Sequence, residues 1–264
     1  MIFGACNLSL VSVRIEPSHR SEIVTQLLFG DAYLVIEEHQ DWMKIRITYD
    51  NYEGWIESKQ HCLIDENEFF SLIKTELNLN PELMQVILNE TQNRLLPILL
   101  GSSIPELKDK RFSIGSDRYL YNGNISEKEF NNTNFSNSIT ENAIFYLNAP
   151  YMWGGKTPFG IDCSGFTQMV YKLCNKKIPR DASQQAILGK HIYFITEAEV
   201  GDLIFFENEK NEIIHTGIYL GKSEIIHASG KVRIDKVDQY GIFNVDLQKY
   251  THKSKIIKRH CLSL

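Results

Sequence analysis

The sequence predicts an α+β domain, a helical layer packed on an antiparallel sheet, preceded by one or two small all-β barrels. Three observations lead there. Residues 1–65 alternate apolar and polar in short runs divided by turns. Phe166, Met169, Val170 and Leu173 recur at helical spacing directly after a cysteine, Cys163. Residues 201–229 read as antiparallel strands carrying two histidines.

The chain has 264 residues, enough for one to three domains, and its 43% hydrophobic content is ordinary for a globular protein. A net charge of −5 argues against a nucleic-acid partner. The densest cationic stretch, Lys249, Lys253, Lys255, Lys258 and Arg259, reads as the solvated face of a last strand. The five cysteines (Cys6, Cys62, Cys163, Cys174 and Cys261) are odd in number and form no Cys-x-x-Cys pair. Neither a disulfide framework nor a zinc site is expected, and a reducing compartment suits them. The N-terminus lacks a basic region followed by an apolar stretch, and no run long enough to span a membrane occurs. The expectation is therefore a cytoplasmic, monomeric protein without cofactor, metal or membrane partner. A leader trimmed from the chain would make it periplasmic or secreted instead.

Taken in order, Leu10 to Ile15, Ile23 to Leu28, Tyr33 to Glu37, Trp42 to Thr48 and Trp55–Ile56 read as strands, with turns at Gly30–Asp31 and Asp50 to Gly54. They make residues 1–65 a small barrel. In residues 66–125, Asp65 to Leu77 reads as a helix or irregular packing. Leu83 to Leu88 and Leu95 to Leu100 form a hairpin, and Phe112 to Gly115 and Arg118 to Gly123 two short strands. A second, degenerate barrel is the expectation. Residues 126–264 form the catalytic domain. Asn131 to Ser138 reads as a linker, and Ser138-Ile139-Thr140-Glu141 as a capping box opening a helix that ends before Pro150. Ile178 to Gln185 is a loop entering a short helix that Gly189 ends. Val232 to Ile234 and Ile256–Ile257 close the sheet.

The chemistry centres on Cys163. At the start of a helix, unpaired backbone N–H groups and the positive dipole end favour a thiolate, which predicts a depressed thiol pKa. The same groups can receive the oxygen of a tetrahedral intermediate. Asp162 is the expected N-cap. A cysteine nucleophile needs a base, and the base an orienting group. His215 and His227 lie equidistant from Gly221 on two strands of a hairpin, so they sit opposite or diagonal on one face. Cys163 is the predicted nucleophile, His215 the general base and later acid, His227 its orienter. Cys174 belongs to the core. His19, His39, His61, His191, His252 and His260 show no partner spacing and are read as bystanders.

These residues fall into five ordered motifs: Tyr151-x-Trp153-Gly-Gly, Asp162-Cys-Ser-Gly-Phe, Gly201-Asp-Leu-Ile-Phe-Phe, His215-Thr-Gly-Ile-Tyr-Leu-Gly and Ile226-His-Ala. Over about residues 138–264 the chain resembles the NlpC-type cell-wall cysteine peptidases, papain-like enzymes that cut peptides of bacterial peptidoglycan. The resemblance implies that Tyr151 places its hydroxyl near the oxyanion and Trp153 builds a pocket wall. It also implies that Asp162 and Ser164 meet the substrate's carboxylate or main chain, and that Asp181 meets a substrate amine. Gly30-Asp31, Trp42 and Gly54-Trp55 resemble a bacterial SH3-type domain. That combination is similar to γ-D-glutamyl-L-diamino-acid endopeptidases, the dipeptidyl-peptidase VI type. The resemblance implies a substrate L-Ala-γ-D-Glu-diamino acid with a free N-terminus, cut in peptide recycling. The SH3-type domain would supply a tyrosine, Tyr52, and an acid, Glu22 (or Asp31 or Glu53), to the substrate ammonium. Ala182 departs from the pattern, since some relatives carry a hydroxyl there. The alternatives are a secreted hydrolase of intact peptidoglycan, a lipid acyltransferase of the same chemistry, and a binding module with an inactive peptidase domain.

Overall fold

A computed structural model of the chain describes residues 1–74, 78–126 and 132–260. Leu77, Asn131 and Cys261, named above, lie outside the described residues. The chain divides into two compact units, residues 1–128 and 129–264.

The first unit carries a seven-stranded antiparallel sheet built from the alternating runs. Leu10–Arg14, Ile23–Leu28, Ala32–His39, Trp42–Ile47 and Glu53–Glu57 appear where the pattern predicts them. Ile2–Ala5 and Leu63–Ile64 pair beside them. The inward residues Val11, Val13, Leu27, Tyr33, Ile45, Ile47 and Ile56 form its buried centre. Within residues 66–125, helix α1 (Glu66–Lys74) precedes the hairpin Met84–Asn89 and Arg94–Leu99, which extends through Asp117–Leu120 to Arg111–Ile114 in a four-stranded sheet. This segment shares a core with the first barrel: Ala5, Phe29, Ala32 and Ile64 cluster with Phe69, Ile87, Ile98, Phe112 and Tyr119. The Ser103 N–H also donates to the Phe29 carbonyl at 2.8 Å.

In the second unit, helix α2 (Asn132–Ile144) begins six residues before the expected capping box. The predicted linker is helical from Asn132, and Thr140 lies mid-helix, its hydroxyl donating back to the Ser136 carbonyl at 3.0 Å. Helix α3 (Cys163–Leu173) and the short α4 (Ala182–Gln185) follow. The sheet runs in the order Lys190–Ile192, Lys249–Arg259, Leu203–Glu207, Ile213–Gly221, Glu224–Ser229, Lys231–Val237, Gly241–Asn244. The last of these also pairs with Lys249–Arg259 and so closes the sheet on itself. The 11-residue Lys249–Arg259 strand serves both ends of that closure, with register shifts at both pairings. No described helix is long and apolar enough to cross a membrane.

Candidate active site

Cys163 is the first residue of α3, capped by Asp162 in extended conformation (φ −94, ψ 177). The Asp162 carboxylate accepts from the Gly165 N–H at 2.7 Å and the Gly154 N–H at 2.8 Å. Arg180 binds it through both terminal nitrogens, at 3.0 and 2.6 Å, and donates to Ser164 Oγ at 2.9 Å. Ser164 in turn donates to Asp162 at 3.3 Å. Asp162, Ser164 and Arg180 are all buried. The carboxylate and the Ser164 hydroxyl are thus joined with Arg180 in one buried hydrogen-bond network. Together with Arg180 they clamp the start of α3.

The Cys163 sulfur is buried, and its thiol pKa is the reverse of the expectation. Burial pushes it up to about 12 and the Asp162 charge adds to this, while the Thr216 and Ser164 backbone and Arg180 pull less strongly the other way. The helix terminus does favour the thiolate, but the cost of desolvating a charge exceeds it. The sulfur lies against the backbone of Thr216, the residue after His215. Among the described residues no hydrogen bond joins the sulfur to the His215 ring itself.

His215 and His227 are brought together as the hairpin predicts. Gly217 pairs with His227, so the histidines are diagonal, and His215 Nε2 lies 2.8 Å from His227 Nδ1. His227 Nε2 continues to Asp235 Oδ2 at 3.1 Å. Both histidines are buried, and burial lowers the pKa of each below the ordinary imidazole value. At His227 the Asp235 carboxylate opposes that shift. Burial would raise the Asp235 pKa, but His227, Arg233 and the Val245 N–H outweigh it and hold the carboxyl at about 2.

The sequence reading missed three members of this centre. His252 stacks on His215 with ring centroids 4.2 Å apart and planes 25° apart. Asp235 and Arg233 sit on the next strand, where His227 pairs with Arg233 and Ile225 with Asp235. The adjacent strands were legible, but the register that brings Asp235 to His227 was not. The long return strand that carries His252 lay in a stretch read as a solvated face. The nitrogens of His215, His227 and His252 lie within 4.8 Å of one another. Two of the rings are stacked and two are joined by a hydrogen bond.

Tyr151 is half-buried, and its pKa is pushed up to about 12 by burial and then by the neighbouring Cys163 and Asp162 charges. It therefore stays a hydrogen-bond donor near the sulfur. Trp153 is 61% exposed. Asp181 occupies the N-cap position of α4 without a side-chain capping bond. In the first unit, Tyr52 packs against the barrel core and its N–H donates to Asp50 at 3.0 Å. Glu22 is exposed. Of its two alternatives, Asp31 is buried and accepts from the Leu28 N–H and Ser103, and Glu53 pairs with Arg46 and Lys44.

Residues 148–251 match the NlpC/P60 family, and residues 13–60 match the bacterial dipeptidyl-peptidase SH3 domain. The chain is 28% identical over 256 residues to dipeptidyl-peptidase 6 of Lysinibacillus sphaericus, covering 88% of this chain and 91% of that protein. It is 28% identical over 229 residues to the γ-D-glutamyl-L-lysine dipeptidyl-peptidase of Bacillus subtilis, covering 78% and 72%. A crystal structure of an NlpC/P60 family protein from Bacillus cereus has the same fold, with a TM-score of 0.79 at 20% identity over 97% of this chain and 99% of that one.

Proposed function

We propose that this chain, an NlpC/P60 domain behind a bacterial dipeptidyl-peptidase SH3 domain, is a cysteine peptidase of cell-wall peptides that cuts the γ-D-glutamyl–diamino-acid bond of substrates with a free N-terminal L-Ala. The observation that carries the chemistry is the capped helix start that places the Cys163 sulfur against Thr216, beside a buried His215–His227–Asp235 chain. The substrate half of the reading is supported by the similarity to dipeptidyl-peptidases along most of both chains.

In the resting site the thiol and the imidazole are both neutral, since burial raises one pKa and lowers the other. The thiol proton therefore passes to His215 as the sulfur attacks the carbonyl carbon, not beforehand. Catalytic contacts that are loose in a free enzyme tighten around bound substrate. The oxyanion is received by backbone N–H groups at the helix start, with the Tyr151 hydroxyl beside them. His215 then gives its proton to the leaving amine, the C–N bond breaks, and water hydrolyses the thioester. Tyr52 and Glu22 are the proposed contacts of the substrate ammonium, and Asp181 and Trp153 border the substrate. Action in the cytoplasm, on free peptides released from the wall, as a monomer, belongs to the same proposal.

The test is mass spectrometry of L-Ala-γ-D-Glu-diaminopimelate and of its N-acetylated form after incubation with the protein. Release of L-Ala-γ-D-Glu from the first and little from the second is expected. Cys163→Ala should lower turnover on the order of 10⁴-fold or more. Equal turnover of both peptides would remove the free-amine requirement. Hydrolysis confined to intact peptidoglycan would favour the secreted-hydrolase reading.

A further inference from the structure

The buried chain from His215 through His227 ends on Asp235, a residue that belongs to none of the sequence motifs. We propose that Asp235 is a positioning residue that sets the protons of both imidazoles, so that His215 turns a bare Nδ1 lone pair to the nucleophile. The kinetic half of this inference rests on the peptidase reading; the proton assignment does not.

The argument is one of donors and acceptors. Asp235 is 1% exposed and fully engaged. Arg233 donates to it from Nε at 2.7 Å and from Nη2 at 2.9 Å, and the Val245 N–H donates at 3.0 Å. Arg233 is itself fixed from the other side by Asp246 at 2.8 Å and Asn244 at 3.3 Å. Three donors of this kind keep the group a carboxylate, which can only accept. His227 Nε2, 3.1 Å away, must therefore carry a hydrogen. In a neutral imidazole the other nitrogen, Nδ1, is then bare. That Nδ1 lies 2.8 Å from His215 Nε2, so Nε2 is the donor in that contact. His215 thus holds its proton on Nε2 and leaves Nδ1 as the free base. With no acceptor at the far end, the hydrogen-bonded pair could run in the opposite sense. The His215 proton would then occupy Nδ1, the nitrogen that has to take up the thiol proton. Burial of both rings keeps them neutral, which the assignment requires. When His215 accepts the second proton, His227 Nδ1 still accepts from it, and the Asp235 charge steadies the imidazolium at one remove.

The experiment is nitrogen-15 NMR of the imidazoles in the full-length protein, paired with kinetics of Asp235→Asn and Asp235→Glu on the free-amine peptide. The wild-type spectrum is expected to show His215 and His227 both as the Nε2–H tautomer. Asp235→Asn, whose amide hydrogens compete with Arg233 and the His227 N–H, should lose that signature at His227. It should lower kcat on the order of 10²- to 10⁴-fold with a far smaller change in KM. Asp235→Glu, which keeps an acceptor, should recover part of the loss. An Nδ1–H proton on His215 in the wild-type spectrum overturns the proposal, and so does wild-type kcat in a folded Asp235→Asn protein. Should Asp235→Asn fail to fold, the wild-type spectrum decides by itself. If the wild-type protein hydrolyses no peptide, the peptidase reading falls, and the tautomers are still judged from the spectrum.

Discussion

Three imidazoles lie together on the sheet, two buried and one partly so, and none can be charged there without cost. His215, His227 and His252 all have lowered pKa values, caused first by burial, and His252 falls to about 4. The consequence for stability has a definite sign. An unfolded chain protonates its histidines below about pH 6.5, while the folded chain does not until a lower pH. In that window the unfolded state binds more protons, so stability is complete above about pH 6.5 and is lost as the pH falls. His215 should therefore contribute to a loss of stability between pH 7.5 and pH 5. Urea melts at the two pH values should give a clearly lower midpoint at pH 5. Coincident midpoints would mean that the rings take up protons freely in the native state. The place of Cys163 at a helix start was legible from the amphipathic run after it. Its neutral resting form was not, because desolvation depends on what packs over the sulfur.

At the scale of the element, α3 is the part on which the site is built. Its start is held by Asp162, and Asp162 is held by Arg180 from the loop before α4. The packing there tolerates no extra atoms: a Cβ at Gly165 would meet the Gly155 carbonyl oxygen at 2.3 Å. Arg180→Met keeps the volume of the side chain but leaves the Asp162 charge buried without its cation. A loss of about 3–5 kcal/mol is expected, read as a fall in the urea midpoint. A change under about 1 kcal/mol would show that the backbone N–H groups suffice to hold the carboxylate. The N-cap role of Asp162 was legible from its place just before the helix. Its partner was not, since residues 162 and 180 meet only once the loop folds back on the helix. The early start of α2 shows the converse: its polar, Asn-rich first turns carry a loop-like composition, and the capping-box spacing at Ser138 pointed past them.

At the scale of the whole molecule, the chain makes two units, and the first is continuous across the boundary that its strand pattern suggests at residue 65. Phe29 shows why. It belongs by sequence to the first barrel, yet its ring packs edge-on to Phe112 at 5.9 Å and Tyr119 at 5.3 Å. Phe29→Ala should therefore destabilise residues 1–65 and 66–125 together by about 3–5 kcal/mol. Hydrogen exchange should report a matching loss of protection in both segments. Loss confined to residues 1–65 would mean that two barrels fold separately.

By itself the sequence determined the local and the periodic: the barrel strands, the cysteine at a helix start, the hairpin that brings His215 to His227, and the motif order that resembles the NlpC-type peptidases. These follow from spacing along one or two neighbouring elements, where turn length and apolar period dictate what faces what. Only the tertiary structure decided the Arg180 clamp, the His252 stack, the Asp235 anchor and the raised thiol pKa. Each joins segments distant in the chain or depends on burial, and both arise when sheet closure and helix packing remove water from groups that carry no local sign of meeting.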